Sequence, residues 1–163
     1  MNESKKYGII AGVATVGYML LFYMIDRPLM LNMKIYWSSF LIYFFCMYKA
    51  CIERRSKNEN EVLLLAEGLK IAFQTFLIAN AIFYVFYYIL LNFVDPSLVD
   101  LQMEVAQQMY QEYMPADQAK EMIKNMNKEG FEMTIRKTIF EYAKGAIVGF
   151  AFSLFIGGLV RQD

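Results

Sequence analysis

The sequence predicts an all-α protein: an integral membrane four-helix bundle with an amphipathic helical hairpin between the third and fourth spans. Three observations point there. Ile71 to Val94 is a run of 24 residues without a formal charge. At ~1.5 Å per residue, a helix of that length outruns the ~30 Å hydrocarbon core of a bilayer. Hydrophobic residues make up 58% of the chain and aromatic residues 17%, against roughly 45–50% apolar usage in soluble domains. Between residues 95 and 130, by contrast, apolar residues recur at helical spacing with a polar face opposite.

The elements follow in order. Asn2 to Lys6 is a short polar start ending in Lys5 and Lys6. Tyr7 to Ile25 then runs for 19 residues without charge. A basic start before an apolar run has the form of a secretory signal. The run is too long for an h-region, however, and Met24-Ile25-Asp26-Arg27-Pro28 offers no small-residue cleavage site. The expectation is an uncleaved first span over about 7–25. Asp26-Arg27-Pro28 breaks it, and the short link to Lys34 makes the next helix an antiparallel neighbour. The second span, about 35–52, has Tyr36 and Trp37 at its start, Tyr48 near its end, and Lys49 placed to snorkel outwards. A charged link from Glu53 to Glu61 follows, and Val62 to Lys70 reads as an interfacial lead-in. The third span, 71–94, gathers Tyr84, Tyr87, Tyr88 and Phe93 in its second half, as interfacial aromatics do.

Asp95 and Pro96 stop that span, and the pair has the form of an N-cap followed by proline at the first helical position. Leu98, Leu101, Val105, Met109 and Tyr113 form one stripe, backed by Val99, Met103, Ala106 and Tyr110. Asp100, Glu104, Gln107 and Gln111 take the other face. Pro115 restarts the chain, Ala119, Met122, Ile123 and Met126 form a second stripe, and Gly130 suits a helix C-terminus. The last span covers about 139–160, with Glu141 and Lys144 placed to pair at i,i+3, as Glu67 and Lys70 are before the third span. The whole chain, 1–163, is expected to form one membrane domain. Lysine and arginine are denser in residues 49–70 (Lys49, Arg54, Arg55, Lys57, Lys70) than in residues 95–138 (Lys120, Lys124, Lys128, Arg136, Lys137). With Lys5 and Lys6 added, the bias predicts both termini cytoplasmic and the hairpin extracytoplasmic.

Several function classes lose their support at this level. A formal net charge of zero gives no electrostatic case for nucleic acid. The absence of histidine removes the commonest general base and metal ligand. Cys46 and Cys51 are too few for a four-thiolate site, and on one helix they point about 140° apart. No glycine-rich phosphate loop lies between a strand and a helix. No catalytic, cofactor or metal residue is therefore expected, and the chain reads as non-enzymatic. Met103, Met109, Met114, Met122, Met126 and Met133 are soft ligands suited to Cu(I). They also follow helical stripes, where thioethers fill irregular apolar faces, and the filling reading is preferred.

Two sets of residues invite a packing role. Gly145, Gly149, Ser153 and Gly157 recur every four positions in the last span, with Gly8 and Gly12 a shorter version in the first. Lipid supplies no hydrophobic drive between helices, so close backbone approach must do so. Packing of the first and fourth spans against each other within one bundle is preferred over a dimer face or a groove for a partner helix. Asn80, mid-span, is expected to pack through a hydrogen bond, with transport the sharper reading. No Asp, Glu, Lys or Arg lies at the middle of any span, where proton and ion paths place them. Leu101, Val105 and Met109 are the candidate docking residues for a partner.

The run Phe86-Tyr87-Tyr88, then Asn92-Phe93-Val94-Asp95-Pro96, then the Gln- and Met-rich stretch through Met103, Gln107, Gln108 and Met109 resembles domain of unknown function 4199. So do the second hairpin helix, Asp117 to Met126, the glycine-bearing last span and the lead-in Glu67-Gly68-Leu69-Lys70. Pro115 departs from the serine-like N-cap usual at that helix start. The resemblance is to small integral membrane proteins of Bacteroidota, and it implies four spans in a bacterial inner membrane and supplies no activity. The expected function is a non-enzymatic accessory or scaffold subunit. Its hairpin would cap its own bundle or dock a membrane partner, a second copy included. The alternative is a small oligomeric transporter or channel.

Overall fold

The structure, a computed structural model, describes residues 2–58, 62–130 and 132–161, with the side chains of 126–129 set aside. Glu61, Met126 and Lys128, which figured in the sequence reading, lie outside that description. Among the described residues seven α-helices follow in order: α1 (Glu3–Ile25), α2 (Arg27–Met30), α3 (Met33–Arg55), α4 (Leu65–Ile89), α5 (Leu98–Tyr113), α6 (Ala116–Glu129) and α7 (Ile135–Val160). Among the described residues four stretches are long and apolar enough to cross a membrane: Glu3–Ile25, Met33–Arg55, Leu65–Val94 and Ile135–Val160. No strand occurs among the described residues.

Local chemistry sets the boundaries. The Asn32 side chain caps α3 by accepting from the Lys34 N–H at 2.9 Å. Thr134 caps α7 through the Lys137 N–H at 3.2 Å, which starts that helix earlier than its apolar run suggested. The lead-in before the third span is helical from Leu65, so the interfacial segment and the span are one helix. Its Glu67 pairs with Arg54 of α3 at 2.8 Å rather than with Lys70. A cross-helix partner with a guanidinium fork outcompetes a neighbour on the same helix. Glu141 and Lys144 do pair as expected, at 2.7 Å. The span does not end at its α-helical limit: a wider turn carries it through Leu90–Val94, closed by the Asp95 N–H on the Leu90 carbonyl at 2.8 Å. Gly130, with φ of 65°, ends α6 in the left-handed conformation that a Cβ disfavours.

α4 is the axis of the bundle, packing most extensively against α1 and α7 and also touching α3. Glycines make those approaches possible. A Cβ built on Gly8 or Gly12 of α1 would stand 2.7 Å and 2.8 Å from Ile78 and Ile82 of α4. On the other side, one on Gly149 of α7 would meet the Phe76 ring at 2.1 Å, and one on Gly145 would meet the Asn80 amide at 2.8 Å. Gly157 lies against the Leu69 backbone. Both small-residue faces thus lie on the third span rather than on each other. Ser153, between them, is fully buried and returns its hydroxyl to the Gly149 carbonyl at 2.6 Å.

The core divides into two apolar clusters. One, near the chain termini, includes Ala11, Met47, Cys51, Phe76 and Ile156. The other, near the hairpin, includes Met19, Phe83, Leu90, Leu98 and Met133. Beyond the first cluster, Lys6–Glu53 (2.7 Å), Lys57–Glu3 (2.8 Å) and Arg54–Glu67 (2.8 Å) tie α1, α3 and α4 at the terminal end. Half-exposed pairs of this kind contribute about 0–1 kcal/mol each, so packing, not charge, holds the bundle. Gly149→Ala should therefore destabilise the fold by about 1–3 kcal/mol, because the buried Phe76 ring has no room to retreat. Gly17→Ala, whose Cβ would meet nothing within 4 Å, should cost nothing. Paired melting curves in one detergent check the contrast.

Candidate functional site

At the end of the bundle where α1 and α4 finish and α3 and α7 begin, the chain lines a half-open cavity of about 850 Å³. α5 and α6 form its roof. Val105, Ala106 and Met109 of α5 and Met122 of α6 face it from above, while Tyr36 and Trp37 of α3 and Phe83, Tyr84 and Tyr87 of α4 form its walls. Lys137 and Glu141, one turn apart on α7, supply the charged side chains of the lining.

The roof is held by polar contacts, and Asp95 has a different role in them from the helix cap expected of it. Asp95 is not the N-cap of α5; that helix starts at Leu98, with Ser97 at the cap position. The Asp95 carboxylate instead accepts from the Tyr23 hydroxyl (2.9 Å), the Ser97 hydroxyl (2.6 Å) and the Arg27 guanidinium (2.8 Å). This ties the ends of α1 and α4 to the start of α5. The Ser97 hydrogen bond, then those of Tyr23 and the charge of Arg27, hold the Asp95 carboxyl below its ordinary value. Behind this clamp Leu98 is fully buried, and the Gln102 amide donates to the Tyr87 hydroxyl. On the far side, the Asn92 amide donates to the Tyr88 and Met133 carbonyls at 2.9 and 3.0 Å, and Lys137 donates to the Gly130 carbonyl at 2.8 Å. Each contact gives a partner to a polar group close to the hydrocarbon, where an unmade hydrogen bond is costly.

Each sequence-derived residue has a place in this frame. Leu101 packs against the outer apolar cluster, and Val105 and Met109 line the cavity, so all three turn towards the chain's own bundle. Glu104, Gln108 and Glu112 occupy the exposed face of α5. Gly8, Gly12, Gly145, Gly149 and Gly157 lie at helix contacts below the cavity. Asn80 sits deeper, 6% exposed, beside a small void of about 10 Å³ that it shares with Thr15, Ser39 and Tyr43. Its Nδ2 is buried and makes no hydrogen bond, unlike Thr75, which returns its hydroxyl to the Ile71 carbonyl at 2.9 Å. Tyr36 and Phe83 line both spaces and separate them. Cys46 and Cys51 are buried free thiols in the inner cluster.

Sequence reasoning missed the convergence itself. Six methionines line the cavity: Met19, Met30, Met33, Met109, Met122 and Met133. Only the last three belong to the hairpin region singled out for its thioethers. The others come from α1, α2 and α3, and no local pattern announces that they meet. They are spread over the walls of a space far wider than one metal's coordination shell. Among the described residues, no group of three or more Cys, Asp or Glu could hold a metal ion.

The family profile described as a protein of unknown function (DUF4199) matches residues 6–162. No curated protein and no solved structure matches the chain.

The Asp95 clamp carries a pH dependence of definite sign. A carboxyl held below its ordinary 3.8 adds stability above that value and loses it as pH falls through the lower folded value. Asp95→Asn should therefore loosen the hairpin at neutral pH, read as faster proteolysis between α5 and α6. The difference from the native chain should vanish in strong acid, as followed by unfolding curves across pH.

Proposed function

The chain belongs to the DUF4199 family, and we propose that it is a non-enzymatic accessory protein of a bacterial inner membrane whose hairpin caps its own bundle. The observation that carries this reading is the apolar stripe of α5, Leu101, Val105 and Met109, turned inwards over the cavity. The charged side chains of the lining are engaged in structural contacts: Lys137 on the Gly130 carbonyl and Glu141 on Lys144. That supports binding or scaffolding over acid–base chemistry, which needs a group poised to move a proton. The lysine and arginine bias supports an orientation with the termini in the cytoplasm and the cap outside. In this reading the polar outer face of α5, with Glu104, Gln108 and Glu112, is what the protein presents to other membrane components.

One observation favours the alternative, a small oligomeric transporter: the unpartnered Asn80 amide deep in the bundle. A transporter predicts that Asn80→Leu loses flux with the fold unaltered. The accessory reading predicts a chain that folds and associates as before, because a leucine removes a buried donor that has no acceptor.

The cap is tested directly with a membrane-impermeant maleimide on intact cells. Glu104→Cys should label rapidly from outside, and Val105→Cys, its neighbour on the cavity side, should label at least several-fold more slowly. Equal labelling would remove the cap. Labelling of Glu104→Cys only after lysis would reverse the orientation. The buried Cys46 and Cys51 contribute no background.

A further inference from the structure

The cavity beneath the cap has the makings of a ligand site. The half-open space of about 850 Å³ is a cleft between the hairpin and the bundle rather than a gap in a close-packed interior. It falls within the ~300–1,000 Å³ of small-molecule sites. Its chemistry is uneven in a specific way. The floor and roof are mostly thioethers, aromatic rings and aliphatic groups, with the Gln102 and Asn125 amides and the Tyr110 hydroxyl of the hairpin among them. The charge is confined to one wall, where Lys137 and Glu141 stand a turn apart on α7. A ligand that satisfies this surface is apolar over most of its length and polar at one end. Methionine is unbranched and polarisable, and adapts to chains of varied shape. Six methionines drawn from separate elements make a lining suited to a flexible alkyl chain rather than to one rigid ring system.

The position narrows the source. The cavity lies where four apolar spans meet an amphipathic roof, level with Trp37 and Tyr36 at the start of α3. Aromatic residues of this kind mark the depth of lipid headgroups. Alkyl chains with polar heads are the commonest molecules there.

We propose that the capped cavity binds a long-chain amphiphile of the fatty-acyl class drawn from the surrounding bilayer. Its alkyl chain lies among the methionines and rings, and its polar head lies at the Lys137 and Glu141 wall of α7. The proposal rests on the reading of the hairpin as a cap, which the maleimide comparison tests separately.

Trp37 is the single tryptophan of the chain and lines the cavity, so it reports occupancy without a label. Dibromostearate, whose bromines quench indole on contact, is titrated into the full-length protein in detergent. The expected result is a saturable loss of Trp37 emission that unbrominated stearate reverses. Ala106→Phe, which puts a ring into the space under the roof, should abolish the saturable part and leave only the linear loss from quencher in the micelle. Linear quenching alone in the native protein, no competition by stearate, or the same saturable curve in a folded Ala106→Phe chain would each overturn the proposal. The competition arm uses only the native protein, so it decides the matter even if the variant fails to fold. A protected Val105→Cys together with purely linear quenching would leave the cap standing and remove the ligand.

Discussion

Close approach to α4 is the constraint on which the rest of the bundle depends. In lipid, two helices gain nothing by hiding apolar surface, since acyl chains are as apolar as leucine. What remains is van der Waals contact at short range. Gly8 and Gly12 on one side of α4, and Gly145, Gly149 and Gly157 on the other, let the neighbouring backbones come close enough for that contact. Ile78, Ile82 and Phe76 fill the notches so formed. Once α4 is held between α1 and α7, its outer end and its connection into α5 are held as well. The hairpin then has a fixed base from which to fold back.

The two ends of the bundle solve different problems. At the terminal end, Lys6, Arg54 and Lys57 bridge α1, α3 and α4 through Glu3, Glu53 and Glu67, outside the apolar core and open to solvent screening. At the hairpin end the contacts converge on one carboxylate. Asp95 gathers Tyr23, Arg27 and Ser97, and Gln102 meets Tyr87. The wider turn at Leu90–Val94 ends the span just before this cluster. α5 can therefore leave the span and lie over the bundle instead of continuing outwards. A roof tied at both ends, over a space that its own side chains do not fill, is the physical origin of the cavity.

Between the two apolar clusters lies a thin polar layer, with Thr15 on α1, Ser39 on α3 and Asn80 on α4 all buried. Ser39 returns its hydroxyl to the Tyr36 carbonyl at 2.6 Å, whereas the Asn80 amide finds no acceptor. The rings of Tyr36 and Phe83, 6.4 Å apart, lie between this layer and the outer cavity. The cavity is thus bounded below by aromatic groups and on its other side by residues of α5 and α6, and among the described residues the charged groups of its lining stand on α7.

The all-α membrane class, the four spans and the amphipathic character of the segment between the third and fourth spans were determined by the sequence alone. Each is a matter of length and periodicity: chargeless runs such as Tyr7 to Ile25 and Ile71 to Val94, and an apolar stripe such as Leu98, Leu101, Val105 and Met109, are written in local order. The small-residue spacing likewise marked which faces could approach a neighbour. Which helix each face meets was decided only by the tertiary structure, because glycine permits close contact without specifying a partner. The same holds for Asp95. A cap and a cross-helix clamp call for the same residue type, and only the arrival of Tyr23 and Arg27 from a distant turn selects the clamp. The cavity is the extreme case. Met19, Met30 and Met33 share no local pattern with Met109, Met122 and Met133, and they meet only because the roof folds back across the bundle.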